Sequence, residues 1–98
     1  MAIAEVSVVP IGTGSTSVSS YVAECVKVLE SMGLTYELQS MGTTIEGSLS
    51  DILEAVRRMH ECVFDTGPQR VYSVIKIDDR RDSSSDARQK VLSVQGKL

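Results

Sequence analysis

The 98-residue sequence has one histidine and two cysteines, and none of the three has the company that reactive chemistry needs. His60 borders an apolar stripe, with no Asp, His or Cys at catalytic or metal-ligand spacing. It reads as a partly buried structural residue rather than a base. Cys25 and Cys62 form no CxxC pair and fall inside helical patterns. They are expected to be reduced, buried thiols, neither metal ligands nor a disulfide. No apolar run approaches the ~20 residues a membrane span requires. Met1 leads straight into a strand pattern without a basic and then apolar leader, so the expected location is the cytoplasm. The net charge of −3 lacks the basic footprint of a nucleic-acid or anionic-membrane binder. With no nucleophile beside a base, an enzyme is the least expected of the available classes.

What the sequence does contain is ordinary globular material, 42% hydrophobic and 23% charged, at the length of one domain. Ala2–Val9 alternates like a strand, with Ala4, Val6 and Val8 on one face and Ile3, Glu5, Ser7 and Val9 on the other. Pro10 is expected to end it, because proline cannot donate to a ladder. Val18, Val22, Cys25, Val26, Leu29 and Met32 fall at helical spacing, with Ser17 or Ser19 as cap and Gly33 as the left-handed stop. Thr35–Met41 and Thr43–Leu49 read as strands joined near Met41–Gly42. Ser48 and Asp51 open a second helix whose stripe is Ile52, Leu53, Val56, Met59 and Val63. After Gly67 and Pro68 comes a last strand, Arg70–Asp79, with Val71, Ile75 and Ile77 on one face and Tyr72, Val74, Lys76 and Asp78 on the other.

This strand–helix–strand–strand–helix–strand order predicts an α+β, ferredoxin-like sandwich: a four-stranded antiparallel sheet with two helices on one face. Residues 79–98 are a charged, serine-rich loop followed by a short helix over Asp86–Gln95. Such a helix is marginal alone and is expected to dock on a partner subunit. The open sheet face, with Ile3, Val9, Tyr72 and Val74 among polar residues, is expected to pack on a second copy.

The stretch Val9–Tyr21 is dense in Gly, Ser and Thr between a strand and a helix. It superficially matches a dinucleotide-binding fingerprint. Ser17 replaces the third glycine, however, and the second strand ends in Gln39 and Ser40 without the acidic residue that would hold a ribose. No lysine makes it a phosphate-binding P-loop either. A capped helix start and a ligand loop are equally good readings of it. Glu5 and Glu46 project from neighbouring strands to the face away from the helices. If covered, they require a cationic ligand, a metal ion shared with Glu37, or Lys76. Tyr21 is either core or a stacking platform, and Arg80 sits in a charge run from which it reaches back over the sheet.

Several motifs in order resemble the small thiamine-binding protein family. They are Pro10–Thr13 with Ser17–Ser19 and Tyr21–Val22, then Met41–Gly47, then Arg70–Val71 with Lys76–Arg80. The resemblance covers essentially the whole chain. It implies a ferredoxin-like protomer that assembles through its sheets into dimers or tetramers. It also implies cytoplasmic binding of thiamine or its hydroxymethylpyrimidine moiety, with no cofactor. Beside that resemblance, the hydroxyls of Thr13, Ser17, Ser19, Thr43 and Thr44 suit a pyrimidine, and Glu46 suits an amine or positive charge. Tyr21 or Met41 suits a ring face, and Arg80 completes the candidate set. Thr43 and Thr44 point to opposite strand faces, and the pair Thr44 and Glu46 is preferred. The rival reading is a self-assembling regulatory protein whose small ligand or ion lies between stacked sheets.

Overall fold

The computed structural model describes residues 1–82 and 86–98. Its elements are β1 (Ala2–Ile11), α1 (Ser19–Ser31), β2 (Thr35–Gln39), β3 (Gly42–Gly47), α2 (Leu49–Asp65), β4 (Arg70–Asp79) and α3 (Ala87–Gln95). The four strands pair antiparallel in the order β2-β3-β1-β4, the ferredoxin-like arrangement. Residues 83–85 of the charged loop expected from the sequence lie outside the described residues.

The period of two along β1 sorts its side chains as expected. Ala2, Ala4, Val6 and Val8 are buried under the helices with Cys25, Leu29, Ile45, Ile52, Ala55, Val56, Met59 and Val63. Pro10 does not end β1, which continues to Ile11 with Pro10 opposite Val71. The pairing with β3 stops at Val6, so the far edge of β1 is already open where proline withholds its N–H. The β2–β3 turn falls on Ser40 and Met41, one residue earlier than the sequence suggests, with Gln39 opposite Gly42.

The ends of α1 and α2 follow local chemistry. Gly33 takes φ 67°, and the N–H groups of Leu34 and Gly33 donate to the carbonyls of Leu29 and Glu30 in a Schellman closure. The Ser48 hydroxyl accepts from Asp51 N–H at 3.1 Å and starts α2. At α1 the expected serine cap is absent among the described residues. Val18 is the N-cap residue, and Ser17 Oγ and Ser19 Oγ instead lie 3.4 Å from each other.

Three apolar expectations are corrected, one by the orientation of α2 and two by how far it reaches. Leu53 faces solvent at 49% exposure, and Ala55 takes the buried place on the stripe. Ile75 and Ile77 lie opposite Val6 and Ala4 on the helix-facing side, yet remain 41% and 40% exposed because α2 does not cover the β4 edge. Of the predicted β4 face only Val71 packs against the core. α3 is capped by Asp86 through a full capping box and has no buried residue.

Leu29→Ala removes a fully buried side chain between α1 and the sheet, and about 2–5 kcal/mol of unfolding free energy should be lost in a urea titration. Leu53→Ala, on the same predicted stripe class but exposed, should stay within ~0.5 kcal/mol. Ser48→Ala should cost about 1 kcal/mol by the same measurement.

Candidate functional site

α1 divides its apolar residues between two neighbours. Cys25 and Leu29 turn inward and are buried, while Val22 and Val26 face a groove between α1 and the β2–β3 hairpin. Val6 and Val8 of β1, with Met59, line its floor, and Leu38 and Met41 form its far lip. The groove encloses about 1010 Å³, at the upper end of the range for small-molecule sites, behind a mostly apolar wall. Its polar groups are few: Ser17 and Ser19 at the α1 N-terminus, Thr43 on β3, Ser7 on β1, Gln39 and Ser40 on the hairpin, and Lys27 and Glu30 along α1.

Sheet register explains Thr43. The row Leu38, Thr43, Val6, Ile75 runs across the helix-facing side of the sheet, which puts Thr43 beneath α1 at 4% exposure. Its hydroxyl opens onto the groove, where no described residue is hydrogen-bonded to it. No buried side-chain nitrogen or oxygen among the described residues is orphaned in the interior. An unpaired hydroxyl on an apolar floor is a fixed point for a ligand polar atom.

The structure therefore brings together four of the residues read from the sequence: Ser17, Ser19, Met41 and Thr43 all line the groove. It separates the others. Thr13 lies in the loop before α1, between Gly12 and Gly14 with φ 79° and 78°, and its Oγ1 donates to the Ser15 carbonyl at 3.2 Å. Tyr21 packs against the core. Thr44 and Glu46 project to the opposite face, so the pair preferred from sequence lies across the sheet from Thr43 and Ser17. Glu46 Oε1 accepts the Ala87 N–H at 2.7 Å and anchors the start of α3. Arg80 is bound to Asp82, Nε to Oδ1 at 2.6 Å.

Two groups sequence reasoning passed over stand at the groove. Glu30 accepts from Tyr36 Oη at 2.8 Å, and that bond holds the Tyr36 hydroxyl above the ordinary tyrosine range. Lys27 leans the other way and pairs with Glu24 at 3.0 Å. The sequence signal for the first was the Gly33 closure, which folds the chain back so that positions 30 and 36 meet.

The remaining titratable groups are structural. Cys25 Sγ points to the Met59 carbonyl at 3.8 Å and Cys62 Sγ to the same oxygen at 3.1 Å. Burial pushes the Cys25 thiol up to about 12, which keeps it neutral and a poor nucleophile at physiological pH. His60 Nδ1 is hydrogen-bonded with Ser73 Oγ at 2.7 Å, and its ring meets Phe64 edge-on at 5.2 Å. On the open face Glu5 pairs with Lys76 at 3.7 Å. No three His, Cys, Asp or Glu residues among the described residues form a metal cluster, and no helix there is long and apolar enough to cross a membrane.

The comparisons with known proteins agree with this architecture. A UPF0045 protein of Methanothermobacter thermautotrophicus is 48% identical over 99 residues, spanning 100% of both chains. The UPF0045 protein YqgV of Bacillus subtilis is 44% identical over 102 residues, covering 100% of this chain and 98% of its own. Among solved structures, the hypothetical protein MJ1052 of Methanocaldococcus jannaschii superposes with a TM-score of 0.88 at 38% identity, covering 99% of this chain and 97% of that one. The sequence model of the family described as thiamine-binding protein matches residues 4–95. The chain belongs to that family.

Proposed function

We propose that this protein binds thiamine, or its hydroxymethylpyrimidine moiety, without transforming it, in the groove between α1 and the β2–β3 hairpin. The observation that carries the reading is the groove itself: an apolar slot in a thiamine-binding family member, with the unpaired Thr43 hydroxyl on its floor. A flat aminopyrimidine fits between Val22 and Val26 on one side and Leu38 and Met41 on the other. Thr43, Ser17 and Ser19 then supply hydrogen-bonding partners for its nitrogens and substituents. No nucleophile–base pair faces the groove among the described residues, and the reading is binding and not turnover. The cytoplasm is the compartment this reading assumes.

A second reading accompanies the first and concerns assembly. Tyr72 and Val74 are exposed on the open sheet face, and Val91, Leu92 and Val94 are exposed on α3. We infer that a second copy covers this surface, as a dimer or tetramer. Burial of those side chains would add apolar docking to a helix that its own chain holds only by polar contacts and leaves without a buried residue.

Two measurements test these readings. Thiamine or hydroxymethylpyrimidine at a hundred times its Kd should raise the unfolding midpoint, since native-state binding of that extent stabilises by about 2.7 kcal/mol. Thr43→Val keeps the shape and removes the hydroxyl. It should leave the empty protein about as stable as before while weakening the ligand by roughly 3- to 10-fold, the value of one hydrogen bond. Unchanged affinity in Thr43→Val would remove the groove from the reading. Light scattering should give a multiple of the protomer mass, and a protomer mass with α3 intact would count against assembly.

A further inference from the structure

The groove carries a charge asymmetry that the binding reading alone does not specify. Among its lining residues the sole carboxylate is Glu30 and the sole cation is Lys27. These lie three positions apart on α1, spacing at which they would normally pair. They do not. Lys27 is drawn back one turn to Glu24, at 3.0 Å. Glu30 is instead held from the other side by Tyr36 of β2, whose hydroxyl donates to Oε1 at 2.8 Å. A neutral donor fixes the carboxylate without cancelling its charge, and no lysine or arginine among the described residues pairs with Glu30. Two of the open-face carboxylates, by contrast, are engaged elsewhere: Glu46 with the Ala87 N–H and Glu5 with Lys76.

We propose that Glu30, positioned by Tyr36, is the counter-charge of the groove and selects a cationic heteroaromatic ligand over its neutral fragment. The inference rests on the binding reading above and names the charge preference of that site. Ser19 and Glu30 are eleven residues apart along α1, which sets the hydroxyl end and the carboxylate about 16 Å apart. Two rings joined by one carbon are too short to span that distance, so the neutral ring would sit mid-groove near Thr43, with the positive ring turned toward Glu30. Attraction at this exposed position has the scale of a surface ion pair, so it tunes choice between ligands and does not dominate affinity.

The test is calorimetric titration of the intact protein and of Glu30→Gln with two probes, thiamine and neutral hydroxymethylpyrimidine, at low and high salt. Glu30 is exposed and its replacement is isosteric, so the unfolding midpoint of the variant serves as the control for folding. The expected result is a roughly three- to fivefold loss for thiamine at low salt, which shrinks at high salt, and no change for hydroxymethylpyrimidine. Equal losses for both probes would show that Glu30 accepts from the shared aminopyrimidine, which overturns the counter-charge. Unchanged affinity for both would overturn any role for Glu30 while leaving the groove reading intact. An unsubstituted protein that binds neither probe would overturn the groove reading itself, and this inference with it.

Discussion

Alternate side chains of β1 and β3 point to opposite faces of the sheet, and a one-residue slip in their pairing would exchange the two faces. The register is held by burial: Ala4 lies opposite Ile45 and Val6 opposite Thr43, with Ala4, Val6 and Ile45 all sealed beneath the helices. A slip would bring Glu5 and Thr44 into that core and expose Ile45, at a cost in desolvated charge that no local rearrangement offsets. The same register decides where the chemistry lies. It sends Thr43 to the groove and Thr44 with Glu46 to the open face, so one short motif serves two surfaces.

The groove exists because α1 is fastened elsewhere. Cys25 and Leu29 pack inward with Met59 and the rest of α2, and the Gly33 closure pins the C-terminal end of α1 to the start of β2. β2 is only five residues long and lies at the sheet edge, so it offers α1 little to pack on. Val22 and Val26 consequently meet Leu38 and Met41 across a gap instead of interdigitating with them. Met41 is 86% exposed on its turn, an unfavourable place for a long apolar side chain unless something covers it. An apolar ligand ring entering the groove would supply the missing contact.

The parts of the fold legible in the sequence are those with local causes. Ser48 capping α2, Gly33 closing α1 and the alternation of β1 all act within a few residues. What stayed hidden depends on orientation and reach. Leu53 falls just off the buried stripe of α2, and Ile75 and Ile77 have the right period yet remain exposed because α2 ends its coverage short of them. Pro10 continues a strand since β3 has already ended beside it, which no property of Pro10 announces. The site followed the same division. Period two placed Thr43 and Thr44 on opposite faces, but which face is hollow depends on how α1 stands over the sheet. Glu30 was invisible because it occupies an ordinary polar helix position, and its partner Tyr36 arrives only through the turn at Gly33.

Glu46 and Glu30 show how surroundings assign work to identical groups. Both carboxylates accept one short hydrogen bond, at 2.7 Å and 2.8 Å. At Glu46 the donor is a backbone N–H at the start of α3, where the helix dipole places partial positive charge. The carboxylate completes that helix end beside the Asp86 cap, and the nearby Lys90–Asp78 pair ties the same helix to the end of β4. Its charge is thereby spent on architecture. At Glu30 the donor is a phenol that brings no countervailing charge, and the adjacent Lys27 is diverted to Glu24. A carboxylate oriented in this way at the rim of an apolar slot keeps its field, and that field falls across the groove.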